Sequence, residues 1–299
     1  SASLISISLG GLAGFYLLGA DKSLATAPVT GFNVGVAAGA LPAAWLMRQV
    51  GRRYGFMTGA ASLALGGLIA AIALFRSDFI LFIVGLVIIG MGAAFTQQYR
   101  FAAADGAPTS FKASAISWVL AGGVFAAIIG PQTVIYTREL FAPVSFAGSF
   151  LAILPLAALA TLILAFLKIP QDTVVGDEDH DDRPARPLLT VISQRRFITA
   201  MICGIGTYAL MSFMMTGAPL AMVGCGFSPN LATLGIQWHV MAMFAPSFIT
   251  GRLIRRFGRD VITGVGLLIL LGCAIVAHMG IELWNFWLAL ILLGVGWNF

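Results

Sequence analysis

Apolar residues in this chain come in long unbroken runs, with neither the period-two alternation of a half-buried strand nor the one-sided stripe of a surface helix. The runs cover 3–20, 27–47, 55–75, 78–98, 114–136, 147–168, 197–217, 230–250, 261–280 and 283–299. Each is close to the about 20 residues that a helix needs to cross a hydrocarbon core of about 30 Å. In lipid only a helix or a closed barrel satisfies its own backbone N–H and C=O groups, and the absence of alternation selects helices. The expected fold class is therefore all-α and polytopic, a bundle of membrane helices. The first run has no basic n-region and no small-residue cleavage site, so it reads as a span and not as a signal peptide. The chain begins without Met and stops at Trp297-Asn298-Phe299 inside a run, so both ends read as cut.

Composition sharpens this picture. The 299 residues are 59% apolar and 10% charged, with a mean hydropathy of +0.96. Soluble chains are about 45–50% apolar and about 25% charged. The 35 glycines would weaken water-exposed helices, but between membrane helices they let backbones approach closely. Cys203, Cys225 and Cys273 have no metal-ligand spacing, so neither a metal site nor a disulfide framework is expected. No cofactor motif is present.

The net charge of +5 sits in short turns and carries no aromatic-studded basic surface, which argues against a nucleic-acid partner. With the N-terminus inside, the cytoplasmic turns hold Arg48, Arg52, Arg53, Arg100, Lys112, Lys168, Arg183, Arg186, Arg195, Arg196, Arg252, Arg255, Arg256 and Arg259, and the outer ones only Lys22, Arg76 and Arg138. Basic residues mark the cytoplasmic side, so the N-terminus is expected there. The polar stretch 169–196, with Gly176-Asp177-Glu178-Asp179-His180-Asp181-Asp182, has the composition of a solvated linker. It divides the chain into a six-helix bundle over 1–168 and a second bundle over 197–299.

The two bundles share a pattern. Arg48-Gln49-Val50-Gly51-Arg52 and Arg255-Arg256-Phe257-Gly258-Arg259 both read Arg, two residues, Gly-Arg, and both follow the second run of their half. Gly90-Met91-Gly92 and Gly294-Val295-Gly296 lie in the fourth run of each half. Duplicated halves recur in transporter folds, with the substrate site near the midplane between them.

On these residues the chain resembles the major facilitator superfamily, whose signature between helices two and three runs Gly-x-Leu-x-Asp-Arg-x-Gly-Arg-Arg. The matching segment here is Ala44 to Arg53, which keeps Leu46, Gly51, Arg52 and Arg53, with Arg48 in the acidic position and Gln49 after it. The second copy keeps Gly251, Leu253, Arg256, Gly258 and Arg259, with Arg255 in place of the acid. The resemblance implies twelve helices in two pseudo-symmetric halves, of which this chain holds the first ten, and a gating role for Arg48, Gly51, Arg52, Arg53, Arg255, Arg256, Gly258 and Arg259. Gly122-Gly123 and Gly130-Pro131 are similar to an antiporter motif of the family without its trailing glycine pair. Gln97 to Asp105, together with Asp21 to Thr26, is similar to an uncharacterised bacterial branch and to the riboflavin importers of alphaproteobacteria.

The resemblance implies a secondary carrier of a small organic solute, working by alternating access in a bacterial inner membrane, as a monomer in the lipid bilayer. It further implies a central cavity lined by helices one, four, seven and ten. Polar groups inside a membrane are costly and often functional, and here they are few. Gln97, Gln98, Arg100, Gln132, Tyr208, Trp297 and Asn298 are the candidates for the substrate cavity. Thr207, Ser212 and Thr216 are polar neighbours on the seventh run, and Met211, Met214 and Met215 are expected to pack. No Asp or Glu lies mid-span, which leaves His239 as the candidate for a coupling proton, with His278 and Asp21 nearer the ends. A histidine titrates near neutral pH, but a neutral His bonded to a carbonyl is the plainer reading. The alternatives are a carrier-fold receptor that does not transport and a membrane-embedded enzyme. The latter needs clustered His, Asp or Glu, and the three His residues lie far apart in sequence.

Overall fold

A straight helix of 49 residues would be about 74 Å long, more than twice the thickness of a hydrocarbon core. The second helix of this chain, α2 (Ala27–Phe75), has that length and turns back on itself at Gly51, whose φ of 81° and ψ of 159° break the helix. The remaining helices are α1 (Ala2–Leu17), α3 (Phe79–Thr96), α4 (Tyr99–Asp105), α5 (Lys112–Thr137), α6 (Ala147–Leu151), α7 (Ile153–Phe166), α8 (Leu188–Ile192), α9 (Arg195–Gly224), α10 (Pro229–Phe244), α11 (Ser247–Phe257), α12 (Arg259–His278) and α13 (Leu283–Asn298). They come from a computed structural model that describes residues 2–105, 108, 111–166 and 188–299. Among the described residues six helical stretches are long and apolar enough to cross a membrane, one of them α6 and α7 together over Ala147–Phe166 and one running from α3 into α4 over Phe79–Ala103, and α1 and α13 are shorter apolar helices. Most of the linker expected over 169–196 lies outside the described residues; α8 and the start of α9 occupy its end.

Several boundaries differ from the sequence reading. The loop expected at 47–55 is helical except at Gly51, and the one expected at 251–260 is helical as far as Phe257. In both places the arginine-rich segment forms a polar helix end, and only a glycine with positive φ turns the chain. The single run at 230–250 is two helices, because Pro246 has no N–H to continue α10. A similar break at Gln97-Gln98 separates α3 from α4.

The two arms of α2 form a hairpin against α3, and glycine sets the spacing. A Cβ added at Gly35 or Gly39 would meet the α3 backbone at Val87 and Met91. One added at Gly59 or Gly66 would meet α3 at Phe95 and at Gly85 and Ile89. The first arm therefore runs parallel to α3 and the second antiparallel. The second half repeats the arrangement with α10, α12 and α13. Gly51 and Gly258 are 207 positions apart (258 less 51) and share nearly the same backbone angles, φ 81° and 87° with ψ 159° and 160°. A Cβ on Gly90 would sit 2.1 Å from the Phe32 carbonyl, and one on Gly294 2.4 Å from the His239 carbonyl. Phe32 and His239 are again 207 apart (239 less 32). Gly92 packs on Gly59 and Leu63, and Gly296 on Gly266 and Leu270. Capping follows the same plan: Asp78 accepts from the Leu81 N–H at the start of α3, and Glu282 forms a capping box with Asn285 at the start of α13.

The main core lies in the first half, around Ile5, Leu9, Phe82, Leu86, Ile89, Phe150 and Ile153, all fully buried. A smaller core joins the halves. It combines Ala127 of α5, Met211 and Met215 of α9, and Ile236 and Val240 of α10, with Leu4 and Ile7 of α1 packed against it. Met211 and Met215 are thus packing residues, as the sequence reading expects.

Candidate functional site

The seam between the halves is formed by α1 against α9 and by α5 against α10 and α11. A small residue allows the approach of α5 to α10: a Cβ on Gly123 would lie 2.7 Å from the Phe244 ring. Among the described residues two side-chain hydrogen bonds cross the seam. Gln132 Nε2 donates to Gln237 Oε1 at 2.8 Å, and Asn33 Nδ2 donates to Ser212 Oγ at 3.2 Å. Since Gln132 meets Gln237 and Gly123 meets Phe244, α5 and α10 run antiparallel. The chain after α10 therefore continues towards the Lys112 end of α5, where α4 and the Gly51 turn also lie. Both arginine turns thus stand at one end of the bundle. Both cross-seam hydrogen bonds lie nearer the other end: Asn33 is in the second turn of α2, and Gln132 is in the last two turns of α5.

At the arginine end, Arg52 Nη2 pairs with Asp105 Oδ2 at 2.6 Å and so ties the Gly51 turn to the end of α4. Arg53 Nη2 donates to the Ala165 carbonyl of α7 and pins the same turn from another side. Arg48, Arg52 and Gln98 line a cavity of about 250 Å³, walled by Ala44, Met47, Phe56, Phe101 and Ala102. The second-half turn is barer. Arg255, Arg256 and Arg259 are exposed, Arg256 lies over the Phe257 ring at 5.3 Å, and none pairs with a carboxylate among the described residues.

His239 is fully buried on α10, and its Nδ1 is 2.9 Å from the Leu290 carbonyl of α13. A carbonyl only accepts, so Nδ1 carries the hydrogen, and in the neutral ring Nε2 presents a lone pair. Nε2 is buried without a partner. The equivalent position in the first half is the apolar Phe32, also buried.

The profile of the Major Facilitator Superfamily matches residues 2–299. The chain belongs to that superfamily. The riboflavin transporter RfnT of Brucella anthropi is 50% identical over 299 residues, which is all of this chain and 74% of the relative. The uncharacterised MFS-type transporter YdeG of Bacillus subtilis is 31% identical over 307 residues, covering 98% of this chain and 71% of that one. Among solved structures, the xylose transporter XylE of E. coli in a partially occluded inward-open conformation matches with a TM-score of 0.67 at 13% identity, over 99% of this chain and 80% of that one. The E. coli fucose:proton symporter FucP matches with a TM-score of 0.51 at 18% identity, over 98% of this chain and 78% of that one. The chain is an integral membrane transporter of the major facilitator fold.

Within that fold the remaining candidates scatter. Gln97 and Arg100 are exposed beside the α3–α4 break, and the Arg100 guanidinium lies 4.9 Å above the Phe101 ring. Asp105 pairs with Arg52. Tyr208 is exposed on α9, and Trp297 is at the border of exposure near the end of α13. Asn298 spans the α10–α11 break. Its Nδ2 donates to the Met243 carbonyl and the Ser247 hydroxyl, each at 2.7 Å, and its Oδ1 accepts from Thr250 at 2.6 Å. His278 is exposed at the end of α12. Asp21 is exposed in the α1–α2 connection, and the Ser23 backbone N–H holds its carboxyl below the usual carboxylate range. Lys22 in the same connection donates to the Phe15 and Leu18 carbonyls and closes α1. Two seam residues, Asn33 and Gln237, escaped the sequence reading although each is an amide in an apolar run, the same signal that marked Gln132. Among the described residues no group of His, Cys, Asp or Glu is placed to hold a metal ion.

Proposed function

We propose that this transporter carries riboflavin or a closely related flavin by alternating access. The observation that carries the reading is the 50% identity, over the whole chain, to a protein named as a riboflavin transporter. The geometry supports the mechanism. Two helix bundles of one plan meet along a seam with few polar ties, and both cross-seam hydrogen bonds lie away from the arginine turns. Among the described residues, rocking breaks these two side-chain hydrogen bonds and slides the Gly123 contact of α5 on α10.

In this reading the arginine end faces the cytoplasm of a bacterial cell, since basic turns stay inside. The N-terminus is then cytoplasmic, residues 169–196 link the bundles, and the protein works as a monomer in the inner membrane. The Arg52–Asp105 pair holds the inner end of the first half in one state and exchanges partners when the halves rock. A proton gradient supplies the energy, with His239 accepting the proton at Nε2 when the α10–α13 packing loosens.

Counterflow in proteoliposomes tests this. Vesicles loaded with unlabelled riboflavin accumulate external labelled riboflavin transiently if the protein is a carrier. Binding without exchange identifies a receptor of the same fold and overturns the carrier reading. Neither binding nor exchange overturns the flavin reading.

A further inference from the structure

Gln132 and Gln237 face each other from opposite halves, and their chemistry exceeds what a structural tie requires. A carboxamide has two N–H donors and a carbonyl that accepts twice. The single bond between these two uses one donor of Gln132 and one acceptor of Gln237. The rest is not sealed in. Both side chains are half-buried, and the two atoms outside this bond, Gln132 Oε1 and Gln237 Nε2, are not buried unpaired atoms, so each reaches accessible space. Asn298 shows the contrast: both its Nδ2 and its Oδ1 are bound to protein groups. Beside the glutamine pair lies the small cross-seam core, where Met211 and Met215 of α9 meet Ile236 and Val240 of α10.

We infer that Gln132 and Gln237 are the specificity-determining pair of the substrate site, reading the imide edge of the flavin pyrimidine ring. The inference rests on the flavin reading above. That edge presents C=O, N3–H and C=O in a row, and an amide donor beside an amide acceptor is its complement. In the structure the Gln132 N–H donates to the Gln237 carbonyl. With substrate, the Gln132 N–H turns to a ring carbonyl and the Gln237 carbonyl accepts from N3–H, while the Gln237 NH₂ is free for the second ring carbonyl. One amide–amide bond is exchanged for two or three amide–imide bonds.

The test compares riboflavin with N3-methylriboflavin, which lacks the N3–H, as competitors for uptake of labelled riboflavin by the intact protein in cells. The wild type should prefer riboflavin by about tenfold, the worth of one hydrogen bond to a group otherwise left unpaired. In Gln132→Leu and Gln237→Leu the preference should fall towards one. The ratio is read within one protein population, so lower expression does not move it. If a Leu variant does not reach the membrane, Gln132→Met and Gln237→Met give the same readout. Fluorescence-quenching titration of purified wild type with both flavins checks the preference with no variant at all. A wild type that does not discriminate, or variants that keep the wild-type ratio, overturn the inference and leave the flavin reading standing. A wild type that moves neither flavin overturns the flavin reading itself.

Discussion

Gly90→Ala should loosen the first half by driving α3 away from the first arm of α2. The added Cβ would lie 2.1 Å from the Phe32 carbonyl oxygen and 2.9 Å from the Val36 nitrogen. Both neighbours are backbone, so no side chain can swing aside, and ordinary contact requires the helices to part by more than about 1 Å. Overpacking of this kind costs about 1–3 kcal/mol. The right reference is Gly122→Ala on α5, where nothing lies within 4 Å of the new methyl. Any gain in helix propensity is common to both substitutions and cancels in the comparison. At roughly 2 °C per kcal/mol for a chain of this size, Gly90→Ala should melt roughly 2–6 °C below Gly122→Ala in the same detergent. Thermal unfolding followed by loss of the monodisperse chromatographic peak reads the difference. Gly294→Ala should behave like Gly90→Ala, because its Cβ would sit 2.4 Å from the His239 carbonyl. Equal melting of all three variants would refute the close-approach reasoning and the structural equivalence of the two glycines.

Three further outcomes follow from the geometry. Gly51→Ala and Gly258→Ala should each cost about 1–3 kcal/mol, because φ near +85° with ψ near 160° is essentially glycine territory; an unchanged melting temperature would show that the turns tolerate another backbone shape. Arg52→Ala should cut the transport rate several-fold while membrane insertion stays normal, and Asp105→Ala added to it should cost little more, since each removes the same ion pair; full uptake at full expression removes the pair from gating. His239→Phe should fold, as Phe does at the equivalent position 32, and should flatten the pH dependence of uptake; a variant with the wild-type pH profile shows that His239 carries no coupling proton.

The spans, the two halves and the two arginine turns were legible because lipid leaves few choices. Runs of about 20 apolar residues must be helices, and glycines recurring at matched places mark where backbones touch. The breaks at Gln97-Gln98 and at Pro246 were less legible. An apolar run reads the same on either side of a kink, although Pro246 could have warned of one. The candidate site divides along similar lines. Gln132 was found as an amide in an apolar run, but its partner Gln237 depends on how one half docks on the other, which no local pattern encodes. Asn298 carried the same signal for another reason: its amide serves the carbonyl and hydroxyl groups at the α10–α11 break. His239 stood out as a titratable group, and only the packing showed that Leu290 takes one ring nitrogen while the other is left bare.

Alternating access is tested most directly by two distances measured on one protein. Spin labels at positions 23 and 225 report the separation of the halves at the end away from the arginine turns, and labels at 49 and 256 report it at the arginine end; all four positions are exposed. Rocking halves require that addition of riboflavin lengthen one distance while shortening the other. Two distances that stay fixed, or that move in the same sense, would contradict a carrier built from two rocking bundles.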